Sequence, residues 1–350
     1  MSFFERRGFY KSLFFFLSLG IIVLGIFVST LGAADISFVD ALKILAQRLP
    51  LIGEKIIGEE SLKSHITIVL NIRLPRIILS AVIGMGLSVV GAAFQGIFKN
   101  PMADPYVIGV SSGAALGASL AIVFGSRLIF GFFPSVQFVA FIGAVLTVLC
   151  VYEIAKVGSK VPTVTLLLAG VAVSAMASAA ISVLMIFNKD QAESIIFWTM
   201  GSVSAARWGQ IGYLLPVVLI GTLIIMAYSR DLNLMMNGDE TAQSLGVEIE
   251  KTKKILLVVS SLMIAFIVSS SGIIGFVGLI VPHAVRLLLG ADYRVLIPFS
   301  ALGGAIFMIL SDTLARTLLA PMEIPVGAIT ALFGAPYFIF LLNKTKRKGI

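Results

Sequence analysis

Long runs of uncharged residues constrain the fold of this chain more than any other feature. A helix needs about 20 apolar residues to cross the roughly 30 Å hydrocarbon core of a bilayer. Only 13% of the 350 residues are charged, whereas a soluble domain carries about 25%. The chain is therefore predicted to be an all-α polytopic membrane protein. The uncharged or nearly uncharged runs are 12–34, 77–98, 105–126, 128–152, 161–188, 208–229, 255–285, 295–311 and 324–343.

One of these runs is too long for a single crossing. Residues 255–285 would extend well beyond the bilayer as one helix, and Ser269-Ser270-Ser271-Gly272 offer a break inside the run. Splitting it there gives about ten transmembrane helices in one domain covering 1–350, with both termini on the same side. The predicted helices are 12–34, 77–98, 106–126, 131–155, 162–187, 208–229, 253–270, 274–289, 295–318 and 324–343.

The positions of the cations predict the orientation. Lysines and arginines lie in the short gaps between the runs, and most of them fall on the inner side if both termini are cytoplasmic. The net charge of +8 is therefore explained by orientation in the membrane, and not by nucleic-acid binding. The chain is predicted to be a multi-pass protein of the cytoplasmic, or inner, membrane.

Motifs for catalysis and cofactor binding are absent from the sequence. It contains no GxxxxGK[ST], which excludes ATP binding through a P-loop, and no HExxH or GxSxG. His65 and His283 are too far apart in sequence to suggest a metal site. We therefore predict no enzyme activity and no metal in this chain, and we expect any energy source to lie in another chain.

Asp312 is the carboxylate best placed for ion coupling inside a span. Proton- and sodium-driven transporters usually carry ionisable groups at this depth. Arg316 stands one helical turn away, and the two side chains are expected to neutralise each other. An ion-coupled secondary transporter that uses Asp312 is the alternative function at this point.

Three glycines are spaced to lie on one face of the third span. Gly109, Gly113 and Gly117 recur every four residues, and small residues at this spacing let another helix approach closely. Close helix packing is the first interpretation, and a glycine-lined pathway is the second; the two are compatible.

The largest predicted cytoplasmic loop, 230–252, has the signature of a short helix. Asp239 and Glu240 stand where acidic residues favour a helix start, and Gly246 stands where glycine favours a helix end. A compact helix projecting from a membrane protein into the cytoplasm indicates a docking element for a soluble partner.

Several long motifs in a fixed order resemble the permease subunits of ABC importers for iron–siderophore complexes, haem and cobalamin (the FecCD type), including the cobalamin importer permease. The resemblance covers nearly the whole chain after residue 70. The motifs are Arg73-Leu74-Pro75-Arg76, Gly91 through Gln95, Asn100 through Pro105, Gly109 through Ala114, Leu245-Gly246-Val247, Gly275 through His283, Ser311 through Arg316, Ile324 through Gly327 and Gly334-Ala335-Pro336.

The resemblance implies a function and a set of partners. Permeases of this kind move a metal chelate into the cytoplasm by alternating access, work as homodimers, and receive substrate from a binding protein that docks outside. Two separate ATPase subunits bind ATP and Mg and supply the energy, so that the permease itself binds no cofactor. Iron–siderophore, haem, cobalamin and even oxyanion substrates all occur on this scaffold.

The resemblance also implies roles for individual residues. Arg73, Arg76 and Arg316 match the arginines that meet glutamates of the binding protein. Thr163 and Val164 match the cytoplasmic gate, where the second position is apolar in this chain. The residues expected to engage the ATPase are Asp239, Glu240, Ala242, Leu245 and Gly246.

Overall fold

The computed structural model describes residues 6–32, 34, 36–46, 62–125, 135–158 and 160–346. Within these ranges the chain is helical, and the only β-type pairing is an isolated bridge between Val157 and Lys160. Residue 126 of the predicted span 106–126 and residues 131–134 of the predicted span 131–155 lie outside the described residues.

The described chain forms fifteen α-helices. A π-helical stretch, Ile68–Arg73, joins the third helix to the fourth without interruption. The helices are α1 Arg7–Thr30, α2 Phe38–Ala46, α3 Leu62–Thr67, α4 Leu74–Ile97, α5 Val110–Phe124, α6 Ser135–Ala155, α7 Thr163–Phe187, α8 Lys189–Thr199, α9 Trp208–Ala227, α10 Ser229–Met235, α11 Asp239–Ser244, α12 Ile249–Ser271, α13 Val277–Leu289, α14 Tyr293–Thr317 and α15 Val326–Lys346.

Ten of these elements account for the membrane crossings. Seven helical stretches among the described residues are long and apolar enough to span a bilayer, and three shorter apolar helices, α5, α13 and part of α15, complete the set. The predicted all-α fold with about ten transmembrane helices is confirmed. The second crossing is longer than the predicted span 77–98. One continuous apolar helix runs from Ser64 to Ile97.

Two of the crossings, α5 and α13, begin inside the bundle. The Tyr106 hydroxyl, just before α5, donates a hydrogen bond of 3.0 Å to the Ile274 carbonyl, just before α13. The α5 helix starts at Val110 and not at 106, since the Asp104 carboxylate accepts the Tyr106 N–H at 2.7 Å. Gly109 then takes a left-handed φ of +81°, which a helix cannot contain. The segments that precede these two short helices are thus bonded to each other within the protein.

The bundle has two chemically different ends. At one end, which we call the lysine end, α4 finishes beside Lys99 and α12 begins with Lys253 close to Asp239. The start of α1 also lies at this end, because the Tyr10 hydroxyl donates a hydrogen bond to the Leu289 carbonyl at the end of α13. At the opposite end, which we call the arginine end, α1 and α14 finish and α4 begins.

The α4 helix is the centre of the packing. Nearly all its side chains are buried, whereas α1 is mostly exposed on the outside of the bundle. It packs against α14 at two facing glycines, Gly84 and Gly304, where the backbones touch directly. Small residues at such crossings allow the close approach on which helix association in a bilayer depends.

The glycine crossing gives a stability prediction. In Gly84→Leu the new Cβ would overlap the backbone carbonyl of Gly304, which cannot rotate away as a side chain would. We expect a loss of about 1–3 kcal/mol or more from overpacking, seen as a lower thermal unfolding midpoint of the detergent-purified protein. Gly20→Leu in α1 is the matched control, because a Cβ there meets nothing within 4 Å. Equal midpoints for the two variants would contradict this account of the packing.

Candidate functional site

Three arginines distant in sequence come together at the arginine end. Arg73 closes the π-helical stretch, Arg76 lies in the first turn of α4, and Arg316 lies in the last turn of α14. All three side chains are buried. We call them, with Asp312 and Glu323, the arginine cluster.

Two members of the cluster hold the end of α1. Arg73 donates to the carbonyls of Ser29 and Thr30 at 2.7 and 3.1 Å. Arg316 donates to the carbonyl of Val28 at 2.7 Å. The last carbonyls of a helix lack partners within the helix and carry partial negative charge, so that cations are favoured there. These two arginines therefore fix the end of α1 against α4 and α14.

Arg76 is held by carboxylates. Its Nε and Nη2 donate to Asp312 at 2.9–3.0 Å, and its Nη1 donates to both oxygens of Glu323 at 2.8 and 3.0 Å. Asp312 is 2% exposed and Glu323 is 43% exposed. The direct partner of Asp312 is Arg76 and not Arg316, which donates to carbonyls at the end of α1. Arg316 still lies close enough to Asp312 for their charges to attract.

This geometry bears on the ion-coupling alternative. Both oxygens of Asp312 accept hydrogen bonds from Arg76, and Asp312 is buried. A coupling carboxylate must take up and release a proton or cation in each cycle. In this structure Asp312 is instead the counter-ion of a buried arginine.

At the lysine end a short segment, α10 and α11, packs against the ends of α4, α12 and α14. Ala242 in α11 is fully buried in a small apolar cluster with Met235, Val247 and Ile249. Leu245, just after α11, is 56% exposed. The segment therefore has a packed inner side and an apolar residue on its outer side, which suits contact with another protein. Glu240 and Gly246 are also exposed.

Asp239 ties this segment to the bundle. Its carboxylate forms ion pairs with Lys99 at 2.6 Å and with Lys253 at 3.0 Å. Burial raises the pKa of Asp239, but the two ammonium groups outweigh burial and hold the pKa of this carboxyl below its usual range. Asp239 is thus ionised at neutral pH and links α11 to the end of α4 and the start of α12.

The predicted gate residues, Thr163 and Val164, are the first two residues of α7, at the lysine end. Thr163 is half-buried and lines a cavity of about 460 Å³ together with Tyr152, Lys253 and Leu257. Val164, its neighbour, is 69% exposed and faces away from the bundle. The two side chains therefore lie on different surfaces, Thr163 on a cavity of the bundle and Val164 on its outside.

The three glycines lie at close contacts within the chain. A Cβ on Gly113 would collide with Thr147 and with the Gly143 backbone, and a Cβ on Gly117 would collide with Val139 of α6. Gly109 precedes the helix and does not share a helical face with the other two. The contact of α5 with α6 therefore depends on glycine at 113 and 117.

Sequence reasoning missed two participants, Glu323 and Lys99. Glu323 lies in the segment between α14 and α15, and its partner Arg76 is 247 residues away. Lys99 follows α4 with a positive φ of 49°, which is uncommon for a residue with a side chain. In the sequence, each of the two is marked only by its charge near the end of an apolar run. That Glu323 pairs with Arg76 and Lys99 with Asp239 is visible only in the fold.

Among the described residues, no group of three or more His, Cys, Asp or Glu side chains could hold a metal ion.

Comparison with known proteins places the chain among transporters. The profile of the FecCD transport family matches residues 20–344. The cobalamin import system permease protein BtuC of Halobacterium salinarum is 48% identical over 283 residues, covering 81% of this chain and 75% of that protein. The hemin transport system permease protein HmuU of Yersinia pestis is 42% identical over 286 residues, covering 80% and 84%.

A relative with a different kind of substrate and a solved structure extend the comparison. The molybdate import system permease protein MolB of Haemophilus influenzae is 36% identical over 285 residues, covering 81% of this chain and 83% of that protein. A structure described as an inward-facing conformation of a metal-chelate type ABC transporter superposes with a TM-score of 0.81 at 30% identity. It covers 95% of this chain and 99% of the other.

The buried pair of Arg76 and Asp312 gives a stability prediction. In Asp312→Asn the guanidinium loses its buried counter-ion and keeps only the partly exposed Glu323. Leaving a buried charge with no partner costs about 3–5 kcal/mol, and because Glu323 remains we expect the loss to fall below that range. We expect a clear drop in the thermal unfolding midpoint of the purified protein. Glu323→Gln is the control, since the loss of an exposed partner costs about 0–1 kcal/mol. An Asp312→Asn protein as stable as the wild type would show that this pair does not support the fold.

Proposed function

This chain belongs to the FecCD transport family, and we propose that it imports a metal chelate of the iron–siderophore, haem or cobalamin class. It is a multi-pass permease of the cytoplasmic membrane and a non-catalytic subunit of an ABC importer. ATP is hydrolysed by a partner ATPase, and a binding protein supplies the substrate. The family match over residues 20–344, on a fold with ten crossings, carries this proposal.

The substrate class is argued from the relatives. Those named for cobalamin and hemin are 48% and 42% identical, and the one named for molybdate is 36% identical. A metal chelate is therefore favoured over an oxyanion. In this proposal the binding protein selects the individual chelate.

In the proposed orientation the lysine end faces the cytoplasm. The excess of lysine at the ends of α4, α6 and α12 agrees with the positive-inside rule, and both termini then lie in the cytoplasm. The α11 segment, with its exposed Leu245 and Glu240, would enter a groove of the ATPase. Asp239, Ala242 and Gly246 would shape the segment and fix it to the bundle.

The arginine end then faces outward and receives the binding protein. Arg73, Arg76 and Arg316 exceed Asp312 and Glu323 by one positive charge, which favours an acidic docking surface and steers its approach. Because Arg73 and Arg316 are engaged by the end of α1, they would act through their charge. Arg76, whose partner Glu323 is exposed, is the member within reach of a partner side chain.

Transport is proposed to take place between two copies of the chain. The α7 helix presents a column of exposed apolar side chains to the outside of the protomer, among them Val164, Leu168 and Val171. A second copy covering this column would form a homodimer with a pathway of low charge, suited to the release of a bulky ligand. Val164 would lie at its cytoplasmic mouth, with Thr163 beside it facing the cavity within the chain, and ATP-driven movement of α11 would open the gate there.

Reconstitution tests the proposed function. We expect proteoliposomes containing the permease, its ATPase and its binding protein to accumulate the chelate with ATP inside. We expect the permease alone to hydrolyse no ATP and accumulate nothing, because its sequence contains no P-loop motif. The measurement is uptake of a radiolabelled iron–siderophore, haem or cobalamin. Accumulation by the permease alone, driven by a proton or sodium gradient, would contradict the proposal.

A further inference from the structure

Arg76 binds two carboxylates that differ in burial and in geometry. Asp312 reaches it from within the helix packing and engages Nε and Nη2, whereas Glu323 engages Nη1 from the exposed side. One guanidinium needs only one carboxylate for charge neutrality. Glu323 is therefore the partner whose departure leaves Arg76 still paired.

Asp312 fixes the orientation of the guanidinium. Its contacts to Nε and Nη2 form a bidentate pair, which holds the guanidinium plane as well as its charge. Nη1 consequently points toward Glu323 whether or not that carboxylate is bound there. At the arginine end, Nη1 of Arg76 is thus a hydrogen-bond donor of fixed orientation, and the carboxylate that it binds, Glu323, can be replaced by another.

The backbone around Glu323 is anchored on both sides. The Met322 N–H donates to the Leu319 carbonyl at 2.9 Å, and the Ile324 N–H donates to the Ala315 carbonyl at 3.0 Å. Release of Arg76 therefore requires rotation of the Glu323 side chain only, and no rearrangement of a helix. Because this side chain is already 43% exposed, its carboxylate returns to water at low cost.

We propose that Glu323 occupies, in the free permease, the place on Arg76 that a carboxylate of the binding protein takes on docking. The inference rests on the proposed function and adds to it the side chain that sets docking affinity. Docking is an exchange of one carboxylate for another on Nη1, while Asp312 stays in place. Glu323 competes with the partner and takes back Arg76 when the partner leaves, which keeps docking reversible.

Two substitutions of Glu323 test the exchange. Glu323→Gln keeps the shape of the side chain but removes the charge, and Glu323→Asp keeps the charge but shortens the reach by one methylene. Both should make Nη1 more available, and we expect the Kd for docking to fall about two- to fivefold, the range set by an exposed ion pair. The measurement is biolayer interferometry on the permease–ATPase complex in nanodiscs. The probe is the binding protein that supports uptake by this permease.

Glu193→Gln is the matched control for net charge. Glu193 is an exposed carboxylate in α8. It lies toward the arginine end, because α7 begins with Thr163 at the lysine end and α8 directly follows the other end of α7. It has no part in the arginine cluster. We expect its Kd to stay close to that of the wild type. Thermal unfolding midpoints close to that of the wild type would show that all three variants are folded.

The outcomes separate this inference from the proposed function. If the wild-type complex binds no substrate-binding protein, the proposed function fails and the exchange fails with it. If the wild type binds and the two Glu323 variants bind equally or more weakly, the exchange alone is overturned. It is also overturned if Glu193→Gln lowers the Kd as much as Glu323→Gln does, since net charge would then explain the effect.

Discussion

The lack of water in the bilayer core is the constraint on which this structure depends. Every backbone N–H and C=O at that depth needs a partner within the protein, so that non-helical chain is tolerated only where the protein surrounds it. The segments before α5 and α13 meet this condition, because they bond to each other through Tyr106 and Ile274, and the backbone at Ile273 also packs against Gly201 and Gly327.

The same constraint explains why three arginines can be buried at the arginine end. The last carbonyls of a helix are left short of partners within the helix, and at the end of α1 Arg73 and Arg316 donate to the carbonyls of Ser29, Thr30 and Val28. Arg76 is neutralised by Asp312. Each cation thus has a structural task, and the proposed docking uses the positive charge that remains together with the exposed side of Arg76. A surface arginine free of such partners would be less well oriented toward an incoming carboxylate.

The sequence predicted the elements that depend on composition and local pattern. Uncharged runs gave the all-α fold and about ten crossings, and Gly113 and Gly117 stand in a close helix contact. It could not predict pairings between distant residues. The four-residue spacing favoured an ion pair between Asp312 and Arg316, because a sequence shows which residues are neighbours on one helix. It does not show that Arg76, on another helix, lies beside Asp312. The start of α5 was also missed, since the Asp104 turn competes with an apolar run that resembles helix from 106 onward.

Function at both ends depends on which end faces the cytoplasm, and single-cysteine labelling measures this directly. The background is Cys150→Ser, which removes the one native cysteine. One variant carries Met322→Cys at the arginine end, where the native side chain is 73% exposed, and the other carries Leu245→Cys at the lysine end, where it is 56% exposed. Intact cells are treated with a membrane-impermeant maleimide. The account predicts labelling at 322 in intact cells and at 245 only after permeabilisation. Labelling at 245 but not at 322 in intact cells would contradict it.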